Sequence, residues 1–102
     1  MQAHERVPLD REFLATFCRR HRIRRLSLFG SALREDFDPE LSDIDLLVEF
    51  EPGARVSLFD VGGMIVELEE KLGSSVDLQT PYELSRYFRD EVVAEAELIY
   101  GH

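Results

Sequence analysis

Apolar and polar positions divide the chain into alternating helix-like and strand-like segments. In the first of them, apolar residues recur at the spacing of one helical face: Phe13, Leu14, Phe17 and Cys18. Asp10 stands just before this stripe, where a residue that caps the first backbone N–H groups is expected. The pattern therefore predicts a first helix that begins after Asp10 and ends near His21.

Four shorter apolar runs have the length and composition of β-strands: Ile23–Phe29, Asp43–Phe50, Val76–Gln79 and Leu98–Tyr100. The segment 32–41 between the first two runs contains Pro39 and several charges, and we expect it to be a polar connection that is not buried. Pro52-Gly53 marks a turn after the second run.

Two capping-box motifs predict the starts of two further helices. Ser57 and Asp60 open a segment predicted to be helical from Leu58 to Leu72 and to stop at Gly73. The pair Gly62-Gly63 inside it favours either close packing on the sheet or space for a bound nucleotide, since each glycine costs roughly 1 kcal/mol relative to alanine. Thr80 to Glu83 forms the second box, and a helix with a possible break at Phe88 is predicted to continue to about Ala96.

Alternation of strands with helices predicts a small α/β fold, and 102 residues suffice for a single domain that spans 1–102.

The net charge of −9 argues against direct nucleic-acid binding, which requires cationic side chains to neutralise phosphates. Arginines cluster only between Arg19 and Arg25, either as a solvated surface or as a docking patch for an acidic partner. A single cysteine, Cys18, and the lack of a long apolar run predict a cytoplasmic protein without a membrane span.

The candidate catalytic residues lie at the end of the first strand and at the start of the second. Gly30-Ser31 follows the first strand, and Asp43-Ile44-Asp45 opens the second. Side chains two apart in a strand share a face, so Asp43 and Asp45 are expected to stand together. Adjacent carboxylates repel unless a cation lies between them, and all-oxygen ligands suit Mg²⁺ or Mn²⁺. A Gly-Ser turn offers backbone amides and a hydroxyl to phosphate oxygens. The alternatives are a solvent-facing strand edge and a simple turn.

Asp77 is a third candidate carboxylate. It lies in the short apolar run Val76-Asp77-Leu78, where a purely structural strand seldom carries a charge. A strand-end aspartate that accepts backbone hydrogen bonds is the alternative.

These motifs together resemble the minimal nucleotidyltransferases of the DNA polymerase beta superfamily, and the stretch from Leu28 to Phe50 is similar to the MNT-type domains paired with HEPN toxins. The likeness extends over 23–101. It implies a small mixed β-sheet with packed helices, in which Asp43, Asp45 and Asp77 bind metal and catalyse transfer. Gly30, Ser31 and Arg34 would contact the nucleotide. Many relatives have Arg and Gly where this chain has Ala32 and Glu35.

The resemblance further implies a Mg²⁺-dependent enzyme that transfers AMP from ATP to a tyrosine hydroxyl of a HEPN ribonuclease toxin, with which it would form a hetero-oligomer. Two other functions remain open: an antitoxin that neutralises its toxin by binding alone, and an adenylyltransferase that modifies a small molecule.

Overall fold

Four strands and three α-helices follow one another in a computed structural model that describes residues 9–34, 36–38 and 41–101. The helices are α1 (Arg11–Arg20), α2 (Leu58–Leu72) and α3 (Arg89–Glu95). The strands are β1 (Ile23–Leu28), β2 (Ile44–Phe50), β3 (Val76–Gln79) and β4 (Glu97–Tyr100). Two short 3₁₀ turns cover Gly30–Leu33 and Pro81–Glu83.

The strands form one mixed sheet in the order β3-β2-β1-β4. β1 pairs antiparallel with both β2 and β4, whereas β3 pairs parallel with β2. Parallel neighbours need a crossover connection, and α2 provides it between β2 and β3. The predicted α/β fold with a mixed sheet is therefore confirmed.

The two faces of the sheet have different roles. Ile44, Leu46 and Val48 point from β2 into the main core, which α1 and α2 cover. Leu47 lies on the opposite face, where it packs with Phe29 and Leu84 in a smaller cluster. Because side chains alternate along a strand, Asp45 shares the face of Leu47 and not that of the main core.

Both long helices begin and end as the sequence predicts. The Asp10 carboxylate accepts hydrogen bonds from the backbone N–H groups of Glu12 and Phe13 at 2.9 and 3.2 Å. The Ser57 hydroxyl and the Asp60 carboxylate form the reciprocal capping box of α2. This helix ends at Gly73, whose φ of +72° is left-handed and suits glycine. At 15 residues α2 is the longest helix, and within the described residues no helix has the length and apolar character to cross a membrane.

Three sequence-based expectations are wrong. Segment 32–41 is not excluded from the interior, because Ala32 is fully buried and Phe37 is 8% exposed against the main core; Pro39 and Glu35 lie outside the described residues. The helix predicted to begin at Thr80 is wrong over its first part, where a 3₁₀ turn covers only Pro81–Glu83; the break at Phe88 and the end near Ala96 are confirmed, because α3 begins after Phe88 and is capped by Ala96. Gly62 and Gly63 do not pack closely on the sheet, because a Cβ at either position would meet nothing within 4 Å.

Candidate functional site

Asp45 and Asp77 are directly opposed in the parallel register of β2 and β3. Neighbouring strands lie about 4.8 Å apart, so their side chains leave the same face of the sheet side by side. Both carboxylates are partly exposed. The register therefore brings together two of the three acidic residues that the sequence singles out.

Gly30 and Ser31 fold back against Asp45. The Ser31 backbone N–H and hydroxyl both donate to Asp45 Oδ2, at 3.1 and 2.9 Å. Gly30 has a φ of +60°, and a Cβ built on it would lie 2.7 Å from the same oxygen. The Gly-Ser turn thus fixes the orientation of the Asp45 carboxylate, a role that its motif alone does not reveal.

Asp43 immediately precedes β2 and is exposed. Its carbonyl oxygen lies 3.4 Å from the Ser31 hydroxyl, a longer separation than that to Asp45 Oδ2. The turn therefore also lies against the first residue of the Asp-x-Asp motif, through its backbone.

The donor set suits a hard divalent cation such as Mg²⁺, since carboxylate oxygens from adjacent strands are the ligands such a cation prefers. In the described part of the chain, however, no three Asp, Glu, His or Cys side chains converge as a preformed metal cluster. Asp45 and Asp77 thus form a two-carboxylate platform that is open to solvent. Asp43, at the entrance to β2, is the third acidic side chain that would have to join them around a bound ion.

Arg34 is engaged elsewhere. Its Nε and Nη2 atoms donate to the two carboxylate oxygens of Asp36, each at 3.1 Å, and both side chains are largely exposed. A salt bridge this exposed contributes about 0–1 kcal/mol to the free energy of unfolding. Arg34 can therefore exchange the Asp36 carboxylate for another anion at little cost.

Gln79 is a site residue that sequence reasoning missed. Its amide Nε2 donates to Asp77 Oδ2 at 2.9 Å. Gln79 stands two positions after Asp77 in β3, so the same i, i+2 rule that pairs the aspartates could have identified it. The contact holds Asp77 from one side as Ser31 holds Asp45 from the other.

A small cluster of apolar side chains lies beside the carboxylates on this face of the sheet. Phe29, Leu47 and Leu84 are buried there, with Val92 and Ala96 from α3 and its end packed against them. Leu47 follows Asp45 by two positions, and Gln79 is its register partner in β3. The acidic groups at one end of the strands thus stand beside a small buried apolar cluster.

Comparison with known proteins identifies the family. Residues 10–99 match the family described as "Nucleotidyltransferase domain". The chain is 42% identical over 77 residues to a Methanocaldococcus jannaschii protein named "Putative protein adenylyltransferase MJ0435", an alignment that covers 76% of this chain and 80% of the relative.

Solved structures share the fold. A "putative minimal nucleotidyltransferase" superposes with a TM-score of 0.63 and 38% identity, covering 84% of this chain and 85% of the other. A toxin–antitoxin with AMP-PNP gives a TM-score of 0.65 at 21% identity, with 92% and 75% covered. A tri-AMPylated Shewanella oneidensis HEPN toxin in complex with an MNT antitoxin gives 0.62 at 21% identity, with 90% and 70% covered.

The family match spans nearly the whole described chain and includes every element that builds the site. The chain therefore belongs to the nucleotidyltransferase domain family and is a nucleotidyltransferase.

Proposed function

We propose that the protein is a Mg²⁺-dependent antitoxin that transfers AMP from ATP to a tyrosine hydroxyl of a HEPN ribonuclease toxin. The observation that carries this proposal is the placement of Asp45 opposite Asp77 on an open sheet face, with Ser31 holding the Asp45 carboxylate. An open face can receive an acceptor that is presented by another protein.

In the proposed reaction the tyrosine oxygen forms a bond to the α-phosphorus of ATP, the bond from that phosphorus to the bridging oxygen breaks, and pyrophosphate leaves. Bound Mg²⁺ would neutralise charge on the phosphates and on the leaving group. Asp43, Asp45 and Asp77 would hold the ion, and Asp77 would also accept the proton of the tyrosine hydroxyl. Gly30 would bring its backbone amide to the phosphate oxygens, Ser31 would contact them in exchange for a hydrogen bond to Asp45, and Arg34 would exchange Asp36 for phosphate.

Relatives support the direction of the proposal. MJ0435 is named for protein adenylyltransferase activity, one structural neighbour holds the ATP analogue AMP-PNP, and another is an MNT antitoxin in complex with an AMPylated HEPN toxin. The described chain itself has an acidic platform and a sheet face, which a protein acceptor could complete.

Mass spectrometry of a purified HEPN partner tests the proposal. After incubation with this protein, ATP and Mg²⁺, the partner should gain the mass of one or more AMP units on tyrosine. Asp43→Asn with Asp45→Asn should abolish the gain. Glu12→Gln removes a charge from an exposed position of α1, on the side of the sheet away from the site, and should leave transfer intact.

The same variants separate the alternatives. If the double carboxylate variant still relieves toxicity as well as wild type at equal expression, the antitoxin acts by binding alone. Transfer of AMP to a small hydroxyl compound with no modification of the HEPN protein would instead identify a small-molecule adenylyltransferase.

A further inference from the structure

Two adjacent arginines at the start of β1 lie outside the main core. The register with β2 shifts between Ile23 and Arg25, so Arg24 is an extra residue that has no partner in β2. Such a β-bulge interrupts the usual alternation of side chains along a strand. The core residues Ile23 and Leu26 are therefore three positions apart instead of two, and neither of the arginines between them belongs to the core.

Arg25 lies on the same face of the sheet as Asp45. It is paired across the strands with Glu49, and Glu49 follows Asp45 by four positions in β2. Four steps along a strand span about 13 Å. The register thus sets Arg25 at a defined separation from the acidic platform, along the sheet face that the platform occupies.

The fold leaves much of the hydrogen-bonding capacity of both arginines unused. Arg24 is exposed, and among the residues that the structure describes its guanidinium group has no ion pair or hydrogen-bond partner. Arg25 Nη1 lies 3.9 Å from Glu49 Oε2, which is too long for a hydrogen bond. The Nε atom of Arg25 is buried and has no hydrogen-bond partner within the same residues. Buried polar groups in folded proteins are nearly always paired, so we expect another molecule to supply an acceptor here.

The end of β4 forms a cleft beside these arginines. Gly101 has a φ of +100°, and a Cβ at this position would collide with the carbonyl oxygen of Arg24. Glycine lets the chain pass this close to β1 because it has no side chain. The cleft has a volume of about 710 Å³ and is lined by Arg24, Arg25, Glu51, Tyr100 and Gly101. The arginines therefore belong to a concave site and not to a flat surface.

The charges around the cleft fit the carboxylates of a protein better than a polyphosphate. A guanidinium group binds a carboxylate through two parallel N–H···O hydrogen bonds. Glu49 and Glu51 lie beside the two arginines, and the whole chain has a net charge of −9. These charges repel a polyanion such as RNA or a nucleoside triphosphate. A single aspartate or glutamate of another protein brings only one charge to each guanidinium group.

We propose that Arg24 and Arg25 bind acidic side chains of the protein that accepts AMP, and thereby position that protein on the sheet face of Asp45. The inference rests on the proposed function, because it takes the acceptor to be a protein. An interface of ordinary size covers about 800 Å² of each partner and is roughly 30 Å across. A protein whose tyrosine reaches Asp45 therefore also covers Arg25, about 13 Å away. Arg24 and Arg25 are then the part of the arginine cluster that serves as a docking patch.

Steady-state kinetics with a purified HEPN protein test the proposal. Arg24→Glu with Arg25→Glu should raise the KM for the HEPN protein roughly tenfold or more. The kcat and the KM for ATP should change by less than about twofold, because the lost contacts are the same in the ground state and the transition state. A rise in the KM for ATP instead would show that the arginines bind nucleotide, and would overturn the proposal.

Arg19→Glu is the matched control. Arg19 belongs to the same arginine cluster in the sequence, but it is exposed on α1, which covers the other side of the sheet. This variant should keep the wild-type KM for the HEPN protein, and an equal rise would reduce the effect to overall charge. Circular dichroism checks each fold. Because Arg24 is exposed, Arg24→Glu alone provides the test if the double variant unfolds.

Calorimetry without ATP separates docking from catalysis. The double arginine variant should bind the HEPN protein roughly tenfold more weakly than wild type. A hexaglutamate peptide should compete with the HEPN protein, whereas hexaglutamine should not. Glu51→Gln should tighten binding, since it removes a carboxylate from the cleft.

The outcomes distinguish the docking patch from the proposed function. Binding that the arginine variants or hexaglutamate leave unchanged would overturn the docking patch, even if AMP is transferred. Binding that depends on the arginines, without any transfer of AMP, would overturn the proposed function and support the docking patch. A wild type that neither binds nor modifies the HEPN protein would overturn both.

Discussion

The position that a Cβ on Gly30 would take lies 2.7 Å from Asp45 Oδ2. Gly30→Ala therefore places a methyl group on the carboxylate and also puts a non-glycine residue at a φ of +60°. The backbone conformation alone costs about 1–2 kcal/mol. We expect a lower free energy of unfolding in urea and a loss of nucleotidyl transfer, because Asp45 must move.

Gly53→Ala is the matched control for this change. Gly53 has a φ of +83°, but nothing lies within 4 Å of its Cβ position. It should lose a comparable amount of stability and keep full transfer activity. Equal activity in the two variants would show that the contact between Gly30 and Asp45 has no part in the site.

Metal and nucleotide together should stabilise the protein through the acidic platform. A ligand that binds only the folded state raises its stability by mass action. Mg²⁺ with ATP should therefore raise the melting temperature of the wild type, and Asp43→Asn with Asp45→Asn should remove the rise. The Asn side chain at 45 can still accept from Ser31, so the fold should persist. An undiminished rise in the double variant would contradict the proposed ligands.

Ser31 and Asp77 should differ in how much transfer they support. Ser31→Ala removes one hydrogen bond to the Asp45 carboxylate, worth about 1.5–3 kcal/mol, and leaves the backbone N–H in place. Asp77→Asn removes a charge that both ligation and proton transfer need. Single-turnover rates should fall more in Asp77→Asn than in Ser31→Ala. The reverse order would make the hydroxyl, and not the third carboxylate, the more important group.

Acid should weaken the start of α2. The pKa of Asp60 is lowered from 3.8, mainly because its carboxylate accepts the backbone N–H of Ser57. Since the pKa is lower in the folded state, the carboxylate stabilises the fold above pH 3.8 and this contribution disappears as the pH falls through the lowered value. Urea unfolding from about pH 6 to about pH 3 should show a smaller loss of stability in Asp60→Asn than in wild type. If the free energy of unfolding falls with pH equally in wild type and in Asp60→Asn, the Asp60 carboxylate makes no such contribution.

Cys18 offers an internal probe of unfolding. It is fully buried, and burial raises the pKa of its thiol to about 12. Only the thiolate reacts with alkylating reagents, so the native thiol is inert near neutral pH. Labelling of Cys18 followed by mass spectrometry should proceed only through opening of the fold and accelerate with urea. Labelling as fast as that of a short cysteine peptide would contradict the burial.

The sequence predicted β2 and α2 well, because β2 is a short apolar run buried on both faces and α2 repeats its buried residues Met64, Leu68 and Leu72 at helical spacing. It failed after Thr80, where Leu84 and Val92 instead cover Leu47 from an irregular turn and a short helix. A capping box is satisfied by a single turn, so it does not specify how far a helix continues. The contact between Ser31 and Asp45 could not be predicted from local sequence patterns either, because it depends on the path that the chain takes through residues 32–41.

The hydroxyl and the two amide groups that position Asp45 and Asp77 belong to residues on the same side of the sheet as the carboxylates, whereas α1 and α2 cover the other side. Substitutions that alter the acidic groups therefore do not disturb the packing of α1 and α2, and substitutions in the main core do not touch the acidic groups directly. Selection can act on reactivity and on foldedness almost separately. A variant of such a chain can therefore lose its catalytic activity and still keep the same fold.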